Sequence, residues 1–114
     1  ALTRALERSV CAKALRIVEV HPGAAIGFRY AAPPVPAVVL DYKQPENAAY
    51  RGQLAAWMDQ SMGLGGVASR LGAAPTSHEV DACAAALAAW KWANGQSAWR
   101  WPASGPMHPY EVAC

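Results

Sequence analysis

The residues best suited to chemistry are a histidine and two acids crowded together in His78-Glu79-Val80-Asp81, and a lone carboxylate, Glu19, inside an apolar run. Carboxylates attract hard divalent cations. A histidine one helical turn from an acid shares its face and can join it as a ligand or a proton carrier. An acid in the first turn of a helix is also favoured by the helix dipole, so Glu79 and Asp81 have a structural reading as well. Glu79 stands three residues after Thr76, the spacing of a capping box. His78 can cap the helix, hydrogen-bond Asp81 or ligate a metal. Glu19 is harder to explain structurally, because a carboxylate in mid-strand needs a partner, a metal or an edge open to water. His21 and His108 each precede a proline and read as turn residues.

The elements that must hold these groups follow from punctuation and periodicity. Pro75-Thr76 opens and Asn94-Gly95 closes a helix. Alanine on nearly every face of it predicts burial on more than one side. Residues 15–21 read as the best strand, since β-branched side chains fill them and Pro22-Gly23 ends them. Alternation sets Leu15, Ile17, Glu19 and His21 on one face and Arg16, Val18 and Val20 on the other.

Residues 1–14 read as an amphipathic helix with Leu2, Ala5, Leu6 and Val10 along its stripe. It opens without a methionine or a cap, as the end of something longer would. Pro22 suits the first position of a helix of about two turns reaching residue 30. Residues 31–36 are a proline-rich connection, and residues 35–42 a strand that Pro36 confines to an edge or a start. Pro45-Glu46 opens another helix, whose inward stripe is Tyr50, Leu54, Trp57, Met58 and Ser61 and which ends at residues 63–66. Residues 67–72 make a short helical turn. The tail after Gly95 is rich in loops, with a short strand at its end.

At 114 residues the chain reads as a single domain, residues 1–114, with one modest core. Alanine accounts for 26 residues, so five tryptophans supply much of the apolar area. A net charge of +2, from basic residues scattered between Arg4 and Arg100, is too small to argue for nucleic acid. Charged residues or prolines interrupt every apolar run, and no basic segment followed by an apolar core opens the chain. Neither a membrane partner nor a signal peptide is expected. Cys11, Cys83 and Cys114 form an odd set without close spacing. They read as reduced thiols in a cytoplasmic protein, not as a disulfide framework or a zinc site.

Trp99-Arg100-Trp101 could stack bases. Trp90 and Trp92 lie roughly 200° apart on their helix, so one packs inward and the other needs a second surface. With so little charge, core and interface are preferred to nucleic acid. Few strands also leave sheet edges to pair, which points to a homo-oligomer.

The strand end Glu19-Val20-His21-Pro22, the Tyr42-Lys43 junction, the helix start His78-x-x-Asp81-Ala82 and the segment His108-Pro109-Tyr110 follow one another in a telling order. That order resembles the C-terminal half of the family of predicted ribonuclease H-like nucleases of uncharacterised function. It is similar more widely to the end of the RuvC-type Holliday-junction resolvases. The resemblance covers most of the chain. It implies an α/β fold with a partial ribonuclease H-like architecture, in which a few-stranded sheet packs with three main helices and is completed by oligomerisation.

The chemistry it implies is phosphodiester hydrolysis with magnesium or manganese, two ions about 4 Å apart clamping the attacking and leaving oxygens. By resemblance Asp81 matches the acid on the last helix, His78 its companion, and Glu19 the strand beside the active-site edge. Asp81, His78 and Glu19 are thus the catalytic candidates, with Asp81 and Glu19 as metal ligands. The acids that such sites carry on the first and fourth strands have no counterpart here. Either another chain supplies them or the activity is lost. Two other readings stand beside this one: a non-catalytic self-associating module, and a nucleic-acid-binding module using the tail tryptophans.

Overall fold

The structure is a computed structural model that describes residues 16–30, 41–62 and 66–114. Along the chain come β1 (Val18–Val20), α1 (Pro22–Tyr30), a 3-10 turn (Pro45–Asn47) running into α2 (Ala48–Met62), α3 (Val67–Leu71), α4 (Ser77–Ala93), β2 (Arg100–Trp101) and β3 (Glu111–Ala113). The expected helix over residues 1–14, the connection 31–36 and most of the strand expected over 35–42 lie outside the described residues. What is described of that last strand, Asp41 and Tyr42, is a turn.

Local signals set the ends of α4. Thr76 accepts from the Glu79 N–H and the Glu79 carboxylate accepts from the Thr76 N–H, each at 3.2 Å, closing the predicted capping box. At the far end Gly95 takes φ +70°, its N–H reaches the Trp92 carbonyl at 3.1 Å, and the Gln96 N–H reaches Lys91 at 2.7 Å. Those two bonds are the Schellman pair, and the positive φ is why glycine stands there.

The alanines of α4 let its neighbours come close. α1 and α2 both pack on it, burying Ile26, Tyr42, Leu54, Met58, Val80, Ala84 and Leu87 in one cluster. Of the stripe expected on α2, Leu54 and Met58 are fully buried, and Tyr50 and Trp57 pack partly against them. A second cluster, Ala25, Ala88 and Cys114 with Val20 against it, lies where the sheet meets α1 and α4.

The sheet is mixed, in the order β1-β3-β2, with β1 parallel and β2 antiparallel to β3. The short strand at the end of the tail is thus the central one. β1 is shorter than the seven residues expected, but its alternation holds. Register aligns Val20, Ala113 and Arg100 in one row and Glu19, Val112 and Trp101 in the next. Side chains in adjacent rows point to opposite faces. Val20 and Ala113 belong to the face toward α4, and Glu19, Val112 and Trp101 to the outer one. Among the described residues no helix is long and apolar enough to cross a membrane.

Candidate functional site

The first turn of α4 places Asp81 against the junction that precedes α2. One Asp81 carboxylate oxygen accepts a hydrogen bond from the Tyr42 hydroxyl, and the other pairs with the Lys43 ammonium at 2.9 Å. Tyr42 itself is 1% exposed, within the main cluster. Burial, and after it the carboxylate at its hydroxyl, push the Tyr42 phenol far above its ordinary pKa. Arg51 of α2 completes the tie by donating to the carbonyls of Pro75 at 2.8 Å, Tyr42 at 2.9 Å and Gln44 at 3.1 Å. Buried carbonyls need such donors. One guanidinium therefore binds the loop before α4 to the turn before α2. His78 shares the first turn of α4 with Asp81 and is exposed.

Glu19 lies elsewhere. It is exposed on β1 and lines an open groove of about 870 Å³ on the outer face of the sheet, with His21, Phe28, Trp99, Trp101 and Tyr110 among its neighbours. Val20, the next residue, packs beside Ala88, seven positions along α4 from Asp81. That is about 10 Å of helix axis at 1.5 Å per residue. Glu19 moreover points away from Val20, to the other side of the sheet. The structure thus brings Asp81 and His78 to one turn and sets Glu19 apart.

This arrangement bears on magnesium or manganese. Among the described residues no three His, Cys, Asp or Glu side chains come together as a metal site. Both oxygens of Asp81 are already engaged, so the described residues do not by themselves assemble the oxygen donors that two such ions require. Cys83 and Cys114 are free thiols, pushed up in pKa chiefly by burial, and so carry little thiolate.

Lys43 and Arg51 are the polar residues that sequence reasoning passed over, and Phe28 and Met107 the apolar ones. Tyr42-Lys43 stood out only as a junction. Its adjacency to Asp81 joins positions 39 residues apart, which no local pattern encodes.

Among the described residues, three main helices packed with a three-stranded mixed sheet define the class: a small α/β protein. The chain belongs to the family described as protein of unknown function (DUF429), whose model matches residues 4–105. Comparison with curated proteins and with solved structures finds no match in either.

Proposed function

We propose that the chain is a nuclease-related scaffold, inactive in isolation, that works as part of an assembly. The observation that carries this reading is the division of its acids. Asp81 ties α4 to the turn before α2 through Tyr42 and Lys43, while Glu19 occupies a different face of the molecule. What supports a ribonuclease H-like ancestry is the order of the motifs at Glu19, Tyr42-Lys43 and His78-x-x-Asp81 along the chain. Hydrolysis then needs acids brought by another chain.

Association is supported by two surfaces. β1 is an edge strand among the described residues, and its unpaired backbone groups are a template for a further strand. Trp90 remains 44% exposed at the end of α4, where a second subunit would cover it. Light scattering over a range of concentrations tests the assembly, with a mass that is a multiple of 12.1 kDa expected. The same preparation, incubated with magnesium or manganese and a branched or single-stranded DNA, is expected to leave the DNA intact. Cleavage by the isolated chain that disappears in Asp81→Asn, or a monomer at every concentration, would overturn the reading.

A further inference from the structure

The outer face of the sheet holds a combination that the scaffold reading does not use. Glu19, Val112 and Trp101 stand in one row across three strands, and all three line the groove. Strands lie about 4.8 Å apart, so the backbones of Glu19 and Trp101 are about 10 Å apart with only the short Val112 side chain between them. Beside this row, Phe28 of α1 and Trp99 stack with ring planes 17° apart and centroids 6.2 Å apart. Phe28, Trp99 and Trp101 are 58%, 52% and 59% exposed. Aromatic faces left open together on so small a chain mark a place where something binds.

Charge decides what that is. Among the described residues Glu19 is the one carboxylate side chain lining the groove, no lysine or arginine lines it, and His21 and His108 are its basic side chains. The acid nearest in the sheet, Glu111, faces the other way and is held by Arg100, whose hydrogen bond lowers its pKa. Glu19 has no hydrogen bond or ion pair of its own among the described residues. A negative charge beside open π faces attracts a cation. The apolar part of the lining, Met107, Pro102 and Val112 among it, adds nothing that would rehydrate a bare ammonium. It suits one whose charge is wrapped in alkyl groups. A phosphate would be repelled by Glu19 and, among the described lining residues, would meet imidazoles but no lysine or arginine.

We propose that this groove binds a small alkylated ammonium ion, with Glu19 and Trp101 on either side of it and the Phe28–Trp99 stack at its flank. Choline and its uncharged isostere 3,3-dimethyl-1-butanol test this on the full chain, followed by tryptophan fluorescence. Saturable choline binding about five- to tenfold tighter than that of the isostere is expected, with a loss of about the same factor in Glu19→Gln. Glu19 is exposed, and an unchanged far-ultraviolet circular dichroism spectrum verifies that the variant keeps its fold. Equal binding of the two probes, or choline affinity unaltered in Glu19→Gln, overturns the proposal. Tighter, salt-sensitive binding of an oligothymidylate overturns it in favour of a base-stacking surface. Tryptophans shielded from acrylamide as protein concentration rises, with no response to choline, overturn it in favour of a second copy.

Discussion

At the start of α4 the polar groups are engaged: Asp81 by Tyr42 and Lys43, the Pro75 and Tyr42 carbonyls by Arg51, and the Thr76 and Glu79 amides each by the other residue's side-chain oxygen. On the outer face of the sheet Glu19 and three large aromatic side chains meet solvent. Both regions contain an acid of the kind that a nuclease site uses. The first holds its acid with hydrogen bonds that also position two helices, and the second leaves its acid with nothing to do for the fold. Residue type alone therefore does not distinguish a structural carboxylate from one left over for binding. The number of groups already bonded to it does.

The sharpest way to break this contrast is to disturb the tight region where its backbone approaches most closely. Gly52 lies inside α2, and a Cβ there would run into the Ala73 carbonyl of the loop before α4. Alanine in place of a mid-helix glycine ordinarily adds about 1 kcal/mol of stability. Here the contact is with backbone, which has no rotamer to move. Gly52→Ala is accordingly expected to lose about 2 to 3 kcal/mol, read as a lower urea midpoint. A gain in stability would show that the two helices are not held as closely as Arg51 and Tyr42 imply.

Tyr42→Phe comes next. It removes one hydrogen bond to a charged group but leaves Asp81 its Lys43 partner, so the expected cost is about 1 to 2 kcal/mol. Its pH dependence is more telling than its size. The phenol's pKa is raised in the folded state, so the stability it confers is complete below the ordinary value of 10.0 and falls as pH climbs past it. Urea midpoints at pH 8 and pH 11 should therefore converge between the native chain and Tyr42→Phe. Midpoints that stay equally far apart would mean that the hydroxyl is not the group that links the two elements.

What could be read in advance divides along the same line. Thr76 with Glu79, and Asn94-Gly95, are contacts within a few residues, and the capping box and the Schellman turn stand where spacing put them. The alternation of β1 was legible too, because the period of a strand needs no partner to be seen. The role of residues 111–113 was not, for only pairing with β1, more than ninety positions earlier, makes so short a run the centre of a sheet. The groove was equally hidden, since it exists only once register places Glu19 and Trp101 in one row. The family resemblance rested on short motifs in order, and the model that matches residues 4–105 is that of a family of unknown function. It could not say how many bonds each acid makes.

The smallest effect is expected where the face is open. Trp101 is large, and by area alone its loss from a core would cost several kcal/mol, as truncating a buried tryptophan does. It is nevertheless 59% exposed on a two-residue edge strand, so little of its surface leaves water when the chain folds. Its backbone pairing with Val112 survives any side chain other than proline. Trp101→Ala is therefore expected to shift stability by less than about 0.5 kcal/mol, measured in the same urea titration. A loss of 2 kcal/mol or more would mean that the outer face is covered in solution, and the contrast between an engaged and an open region would fail at its second member.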